Sequence, residues 1–447
     1  MFTDVSGLIA ENAPALHYGV AAADLDGDGT LSFAVAGYGG PNRVLKWRRG
    51  VLTDVAPRSL ADDGRHAIAV AAGDVDGDGR EELYVLNAET YSGPKPFADR
   101  LFDAGPDGRW HDLFANAGNE AVRNLTAGRS VAVVDRRGTG RYGFVVANFN
   151  APSRLYELAP NGRLVDLAPS LGLNRTAAAR GLWVGPLVSE FSDILFANEN
   201  GPNFLFRNAG DGTFEEVAGA CKLLDPDEHA RGIAVLDADG DGRLDVACGN
   251  WEGRHRLFLR QVDGTFRDRA TPALAMPSPV RTVIAADFDN DGHEEIFFNN
   301  LGEPNRLFRV TAAGCAMLDG GPLAEPEGHG TGAAFADVDG DGVLELLVSH
   351  GESAAQPLSL FKAINDNGWL RVRPKTRFGA PARGAKVTLS AGGRRQVRVI
   401  DGGSGYLCQM EPVAHFGLGA ETRIDSVTVT WPDGATAKVT APPVRSV

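Results

Sequence analysis

Five copies of the sequence Asp-x-Asp-x-Asp-Gly have the residue types and the spacing of a calcium-binding loop. They begin at residues 24, 74, 237, 287 and 337. In the copy at 237–245, acids occupy loop positions 1, 3, 5 and 9, and position 7 offers its backbone carbonyl. This pattern places five or more oxygens around one point, as calcium prefers, and glycine at position 6 permits the sharp bend.

The predicted calcium ligands are the residues at positions 1, 3, 5, 7 and 9 of each loop. They are Asp24, Asp26, Asp28, Thr30 and Ser32; Asp74, Asp76, Asp78, Arg80 and Glu82; Asp237, Asp239, Asp241, Arg243 and Asp245; Asp287, Asp289, Asp291, His293 and Glu295; and Asp337, Asp339, Asp341, Val343 and Glu345. Because Ser32 replaces an acid, we expect a weaker first site. Polar hairpin turns are the alternative, but five copies in phase favour calcium. We predict about five structural calcium ions and no organic cofactor.

The loops mark a repeat of about 50 residues. Between Asp74 and Asp237 the chain has room for two degenerate copies, one at Asp135 and one near Gly185. Each copy contains an apolar segment, the loop, a second apolar segment, a strand that often reads Arg-Leu-Phe, and a fourth strand after a glycine turn. Four short strands repeated seven times predict an all-β fold, a seven-bladed β-propeller.

We predict two domains, a propeller of residues 1–365 and a smaller β-rich domain of residues 366–447. Residues 2–5 match the fourth strand of a repeat although no repeat precedes them, and the last repeat lacks a fourth strand of its own. The N-terminal strand is therefore expected to close the last blade, which removes exposed sheet edges.

Charge and composition exclude several kinds of partner. The net charge is −14; residues 366–447 hold 12 Lys and Arg against 6 Asp and Glu, which leaves 32 against 52, or −20, for residues 1–365. Nucleic acid is therefore not an expected partner, and no run approaches the roughly 18 apolar residues of a membrane span. The four cysteines form no CxxC pair. The N-terminus lacks a basic and apolar leader, which predicts a cytoplasmic protein if the chain is complete and a periplasmic or secreted one if a leader was removed.

The repeat resembles that of the FG-GAP/VCBS proteins, whose propellers include the head of integrin α chains. Near the C-terminus, FGAPARGAKVTL from residue 378, GSGYLCQ from residue 403 and VTVTWPDG from residue 427 are similar to the ASPIC/UnbV domain. Together the two parts resemble the bacterial relatives of cartilage acidic protein over essentially the whole chain. The resemblance implies a calcium-loaded propeller with a β-rich C-terminal module. Many relatives carry a secretory leader, and some are encoded with natural-product pathways.

The phase of the repeat also brings polar residues together at the propeller mouth opposite the loops. The predicted ligand-binding residues there are Arg129, Arg180, Arg231, Arg281, Asn148, Asn198, Asn250, Asn300, Trp251, Glu252, His350, Tyr38 and Tyr91. An insertion at residues 91–97 lies on this face as a lid. In the alternative interpretation, the asparagines only form turns and the arginines pair with glutamates in a structural ring.

The sequence predicts a calcium-stabilised propeller that presents a polar site to a small molecule or peptide. Familiar catalytic motifs such as GxSxG and HExxH do not occur in it. One alternative is a cofactor-free cytoplasmic cyclase, isomerase or lyase of natural-product biosynthesis, with catalytic candidates Glu252, Glu89, Glu352, His229, His329 and Arg231. The other is a secreted adhesion or scaffold protein.

Overall fold

The computed structural model describes residues 2–105, 108–312 and 314–447. It is all-β, with 48% of residues in strands and 5% in helices, as predicted. The helices are α1 (Arg58–Ala61), α2 (Ala218–Cys221) and four 3-10 turns (Ser6–Leu8, Leu113–Ala115, Glu120–Val122 and Gly321–Ala324). Within the described ranges, no helix has the length and apolar character needed to cross a membrane.

Each repeat forms four antiparallel strands that pair in chain order. The strands of repeats one to four are β2 (His17–Ala23), β3 (Ser32–Gly37), β4 (Arg43–Arg48) and β5 (Val51–Asp54); β6 (Ala67–Gly73), β7 (Glu82–Asn87), β8 (Arg100–Ala104) and β9 (Trp110–Asp112); β10 (Gly128–Val134), β11 (Gly143–Pro152), β12 (Arg154–Leu158) and β13 (Leu164–Asp166); and β14 (Thr176–Gly185), β15 (Asp193–Asn198), β16 (Phe204–Asn208) and β17 (Phe214–Glu216).

Repeats five to seven continue the same order, and the N-terminal strand completes the last one. Their strands are β18 (Ala230–Leu236), β19 (Asp245–Asn250), β20 (Arg256–Arg260) and β21 (Phe266–Asp268); β22 (Val280–Ala286), β23 (Glu295–Asn300), β24 (Arg306–Thr311) and β25 (Gly314–Leu318); and β26 (Gly330–Ala336), β27 (Glu345–His350), β28 (Ser359–Ala363) and β1 (Phe2–Asp4). Strand β1 pairs antiparallel with β28, with Phe2 opposite Ala363.

The innermost strands of the repeats contact one another in a closed ring. The ring runs through β2, β6, β10, β14, β18, β22 and β26 and returns to β2. Repeats three and four share one eight-stranded sheet because the long strand β11 also pairs with β14. Sheets arranged radially around an axis form a β-propeller.

Small residues allow the inner strands to approach one another closely. All seven residues of β6 are buried, and five of them are alanine or glycine. A Cβ atom on Gly232 would lie 2.5 Å from the backbone nitrogen of Val283, and one on Gly332 would lie 2.4 Å from the carbonyl oxygen of Tyr18. Contacts this short do not admit a side chain, so the ring depends on glycine at these positions.

The C-terminal part contains two further sheets. Strands β29 (Gly368–Val372) and β32 (Ala414–Gly419) pair in one, and β31 (Arg394–Val399), β30 (Lys386–Ala391), β33 (Ile424–Thr430) and β34 (Thr436–Thr440) pair in that order in the other. Apolar side chains such as Val387, Leu389 and Phe416 are fully buried between them. The two sheets therefore enclose a core of their own.

A segment of the C-terminal part, residues 401–413, fills the central channel of the propeller. Gly405 and Ile233 of β18 exchange two backbone hydrogen bonds, of 2.9 and 2.7 Å. The side-chain amide of Gln409 donates to and accepts from the backbone of Ala72 in β6, at 3.0 and 2.8 Å. We call residues 401–413 the channel segment. It gives hydrogen-bond partners to inner-strand groups that face the axis.

Candidate functional site

The five acidic loops form the turns between the first and second strands of their repeats. In each loop the first aspartate accepts a backbone hydrogen bond from the glycine at position 6, as Asp237 does from Gly242 at 3.0 Å. The residues at position 7 donate their backbone N–H groups to the acid at position 5. They are Thr30, Arg80, Arg243, His293 and Val343. These bonds fix the backbone of each loop relative to the acids at positions 1 and 5.

The arrangement of carboxylates fits a hard cation such as calcium. In the loops of repeats one, two, five and six, oxygens from three acids lie within 4.8 Å of one another. Asp24, Asp237 and Asp287 each bury one carboxylate oxygen that has no hydrogen-bond partner. Burial raises the pKa of Asp74 to about 6 and that of Asp287 to about 7. Such clusters of buried carboxylates are unfavourable without a cation, and oxygen-only ligands suit calcium.

The loop of repeat seven holds a cation of the chain itself. The Nζ atom of Lys362, on the third strand, lies 2.7 Å from Asp339 and 2.9 Å from Asp341 and also contacts Glu345. Lys362 is the direct cross-strand neighbour of Glu345, the acid at position 9. Its ammonium group therefore sits among three of the four acids predicted to bind calcium.

The residue on the third strand that lies opposite loop position 9 differs from repeat to repeat. In repeat one, Lys46 lies 2.5 Å from Asp26 and 2.7 Å from Asp28. In repeat six, Arg309 contacts the acids at positions 3, 5 and 9. Repeat two has Asp103 at this place, within 4.8 Å of two loop carboxylates, and repeat five has the neutral Leu259. Two loops therefore lack a basic residue at this place, and three contain one.

At the opposite mouth, a β-bulge near the start of each inner strand reorients one side chain. The residues in the bulges are Tyr18, Ile68, Arg129, Arg180, Arg231, Arg281 and Thr331. A bulge interrupts the alternation of the strand and re-aims the extra residue. Four consecutive repeats, three to six, therefore present an arginine to the mouth.

Two glutamates pair with three of these buried arginines. Glu199 lies 2.5 Å from both Arg180 and Arg231. Glu352 is paired with Arg281. Burial alone would raise the pKa of Glu199, but the two guanidinium groups hold it below its ordinary value. The ion pairs anchor the arginines as the structural-ring alternative predicts, yet they do not satisfy all of the guanidinium nitrogens.

Several guanidinium nitrogens remain without partners in the described residues. They are Nε and Nη1 of Arg231 and Nε of Arg281. Both side chains lie over the ring of Trp251, with the guanidinium carbons 4.1 and 4.6 Å from the ring centroid. Burial, together with neighbouring arginines, lowers the pKa of Arg231 to about 10. Among the described residues, the hydrogen bonds of Arg129 go to backbone carbonyls. The mouth therefore has positive charge available for an anion.

The channel segment supplies the floor of this mouth. The hydroxyl of Tyr406 accepts a 3.2 Å hydrogen bond from Arg180. Burial raises the pKa of Tyr406, but four arginines outweigh that effect and bring the pKa below its ordinary value. A residue of the C-terminal part thus belongs to the same site as the propeller arginines.

Together these groups enclose a cavity of about 330 Å³. It is lined by Tyr18, Tyr38, Ile68, Ala88, Glu89, Thr90, Tyr91, Arg129, Arg180, Arg231, Trp251, Arg281, Glu352 and Tyr406. Tyr91, in the insertion at residues 91–97, accepts hydrogen bonds from Arg180 through its hydroxyl, at 2.8 Å, and from Arg129 through its carbonyl. The insertion therefore covers the arginine side of the cavity.

The predicted asparagines stay outside the cavity. Each bonds through its side-chain amide to a backbone carbonyl four residues later and so closes the turn between the second and third strands. They are Asn148, Asn198, Asn250 and Asn300. The Nδ1 atom of His350 lies 2.8 Å from the carbonyl oxygen of Pro357, seven residues later. These side chains thus bond to the backbone of the turns, as the turn alternative describes.

Other candidates also lie away from the cavity. Glu252 has a φ of 53° and an exposed side chain, and it does not line the cavity. His229 is exposed, with Nδ1 2.6 Å from the carbonyl oxygen of Glu199. His329 is half-buried and likewise not part of the lining. Glu89 and Glu352 are the catalytic candidates with carboxylates at the cavity, together with Arg231.

Sequence reasoning missed two central residues of the site. Glu199 directly follows Asn198. The residue at the same repeat position is alanine, phenylalanine or tryptophan in neighbouring copies, so the repeat does not indicate an acid there. Tyr406 lies in the C-terminal part, far along the chain from the propeller. The clustered glycines at 402, 403 and 405 were the available signal for a tightly packed segment there.

Comparison with known proteins identifies both parts of the chain. A family model described as ASPIC and UnbV matches residues 375–447, and an FG-GAP-like repeat model matches residues 24–85, 190–248 and 237–298. The chain is 49% identical to cartilage acidic protein 1 of Xenopus tropicalis, over 97% of this chain and 74% of that protein. It is 48% identical to the Homo sapiens protein, over 97% of this chain and 72% of that protein. The BP39L lectin of Burkholderia pseudomallei superposes with a TM-score of 0.48 at 14% identity, over 77% of this chain and 99% of that chain.

The relatives overturn the predicted location. The prediction of a cytoplasmic protein is wrong, because the relatives that match across 97% of the chain are cartilage acidic protein 1, a secreted extracellular protein. The prediction relied on the residues at the N-terminus alone. The comparisons also give no support to a cyclase or to natural-product biosynthesis.

Proposed function

Because the chain belongs to the cartilage acidic protein 1 family of FG-GAP propellers, we propose that it is a calcium-stabilised binding protein whose ligand occupies the arginine-lined mouth. The observation that carries this proposal is the cavity of about 330 Å³ between four buried arginines and the channel segment. Buried polar groups normally have partners, but two guanidinium nitrogens of Arg231 and one of Arg281 lack them in the described residues. An oxyanion on a small molecule or peptide would supply the missing acceptors.

In this proposal the acidic loops stabilise the propeller and do not touch the ligand. Calcium would supply positive charge to carboxylates that otherwise repel one another. Asp74, Asp76, Asp78, Glu82 and Asp103 would hold it in repeat two. In each loop, backbone N–H groups donate hydrogen bonds to carboxylates of the same hairpin. A site built within one hairpin is suited to a structural ion.

The loop at 237–245 of repeat five offers the same loop carboxylates, but it has Leu259 where repeat two has the additional acid Asp103. Asp245 accepts backbone hydrogen bonds from Ala238 at 2.9 Å and Arg260 at 2.7 Å, which fixes its orientation. Burial raises its pKa to about 7. A bound cation would hold this carboxylate in its ionised form at neutral pH.

The mouth is tested by titrating the calcium-loaded protein with acetate, succinate, citrate and sulfate in a calorimeter. We expect at least one of these anions to bind and its affinity to fall at least tenfold in Arg231→Gln, because that variant removes the guanidinium that has two unpartnered nitrogens. Arg254→Gln is the matched control, since Arg254 is exposed on the same repeat. Unchanged calcium content by elemental analysis shows that the variant keeps its fold. Equal binding by both variants would contradict the proposal.

A further inference from the structure

The cavity at the mouth is chemically divided. Repeats three to six contribute its arginines, whereas repeats one and two contribute Tyr18, Tyr38, Ile68 and Glu89. The rings of Tyr18 and Tyr38 lie 5.1 Å apart, and Tyr38 also stacks on His66 at 4.3 Å. One side of the cavity is therefore cationic, and the other is aromatic with a single acid.

That acid, Glu89, has no partner in the described part of the chain. Both of its carboxylate oxygens are buried, and neither has a hydrogen-bond donor. No Lys, Arg or His nitrogen of the described residues forms an ion pair with Glu89, in contrast to Glu199 and Glu352. A buried carboxylate without a donor is unfavourable unless something else supplies N–H groups and positive charge.

The opposite side has the complementary deficiency. Arg231 is 5% exposed and has two guanidinium nitrogens without acceptors, and Arg281 is 6% exposed and has one. In the part of the chain that the structure describes, the acceptors of Arg129 are backbone carbonyls. The two glutamates on this side are already used by Arg180, Arg231 and Arg281. The arginine side therefore lacks negative charge, while the Glu89 side lacks positive charge.

We infer that the mouth binds a zwitterion, with a primary ammonium group on Glu89 and a carboxylate on Arg231 and Arg281. This inference rests on the proposed function and specifies its ligand. A primary ammonium can donate to both oxygens of Glu89, and the faces of Tyr18 and Tyr38 favour a neighbouring cation. A free amino acid and the end groups of a short peptide share this chemistry, and about 330 Å³ accommodates either.

The test separates the two charges of the ligand. Calcium-loaded protein is titrated with ω-amino acids from glycine to 6-aminohexanoate and with Gly-Gly and Gly-Gly-Gly, each beside its N-acetyl and its C-terminal amide form. The series covers different separations of the two charges, and its two chemical types distinguish a free amino acid from a peptide. We expect at least one zwitterion to bind, with each single-charge analogue at least tenfold weaker.

Variants assign each charge to its side of the cavity. Glu89→Gln should abolish the preference for the zwitterion over its N-acetyl form, and Arg231→Gln should abolish the preference over its amide. Glu252→Gln is the matched control for Glu89, because Glu252 is exposed on the same face outside the cavity. Arg231→Lys keeps a charge at the mouth if Arg231→Gln fails to fold, and its weaker two-point hydrogen bonding should still reduce binding.

The outcomes separate this inference from the function on which it rests. If N-acetyl forms or plain carboxylates bind as tightly as zwitterions, and Glu89→Gln changes nothing, the arginine mouth stands and the zwitterion is wrong. If no zwitterion binds, the inference is wrong as well. If neither zwitterions nor simple anions bind, the proposed function itself fails.

Discussion

The loops at 237–245 and 337–345 have the same acidic motif but different neighbours. Both place aspartates at positions 1, 3 and 5 and an acid at position 9. Across from position 9, the third strand contributes Leu259 in repeat five and Lys362 in repeat seven, and the lysine contacts three of the loop acids. The motif thus supplies the ligands, and a residue outside the motif changes how much negative charge remains for a metal ion.

The same comparison orders all five loops. Lys46, Arg309 and Lys362 each place one positive charge among the acids of the loops of repeats one, six and seven. Asp103 adds a carboxylate in repeat two, and Leu259 leaves repeat five unchanged. We therefore expect calcium titration to resolve two tight sites and three weaker ones, because a monovalent group at the loop centre must be displaced before calcium can bind.

The largest expected effect is that of losing a tight site. At free calcium of about 100 times its dissociation constant, one site stabilises the fold by about 2.7 kcal/mol. Asp239→Asn should remove most of that stabilisation from repeat five. The matched Asp339→Asn in repeat seven should cost less than about 1 kcal/mol, since the ammonium group of Lys362 already occupies that loop and weakens its calcium binding. Denaturant unfolding with calcium and with chelator measures both, and equal losses in the two variants would contradict the ordering.

Exchanging Leu259 and Lys362 should reverse the order of calcium affinity of the loops in repeats five and seven. Leu259→Lys should weaken calcium binding in repeat five, and Lys362→Leu should strengthen it in repeat seven, each by about 2 kcal/mol or roughly thirtyfold, as expected for one charge about 4 Å away in a partly solvated site. Calcium affinities from calorimetry measure the exchange. Lys438→Leu, on an exposed strand, is the control that should change neither loop.

Much of this architecture is readable in the sequence because the repeat is local and periodic. The all-β propeller and the two families follow from the spacing of the aspartates and from the C-terminal motifs, as the relatives confirm. The convergence of Arg129, Arg180, Arg231 and Arg281 also follows from repeat phase. Repeat phase alone does not separate the two interpretations of Asn250 and its counterparts, because a buried amide at a strand end can bond to a turn, as Asn250 does, or to a ligand.

The remaining features depend on contacts that repeat phase does not specify. The channel segment joins the inner strands through backbone hydrogen bonds, which any sequence with suitable glycines can make, so Tyr406 could not be placed from its position in the chain. The neighbours of the loops, in contrast, were accessible. Counting two residues on from the leucine of the third strand gives Asp103, Leu259, Arg309 and Lys362, and counting two on from Val44 in repeat one gives Lys46, but their effect depends on the register between strands.

A smaller effect is expected from the additional acid in repeat two. Asp103→Asn keeps the size of the side chain and removes one charge from a group that already contains Asp74, Asp76, Asp78 and Glu82. We expect calcium affinity in this loop to fall about fivefold, or roughly 1 kcal/mol, because the remaining four carboxylates still complete the coordination shell. An unchanged affinity would show that Asp103 does not take part in the site. A loss as large as that of Asp76→Asn would make it a primary ligand.

The smallest expected effect concerns repeat one, where two differences from the tight loops coincide. Ser32 stands at position 9 and Lys46 lies across from it. Ser32→Asp alone should raise calcium affinity by less than about 1 kcal/mol, because Lys46 neutralises the added carboxylate. Lys46→Leu alone leaves position 9 without an acid. The double variant should gain more than the sum of the two single variants, since each residue limits the effect of the other. Calcium affinities of the four proteins form a complete cycle, and additive gains would show that the neighbour and position 9 act independently.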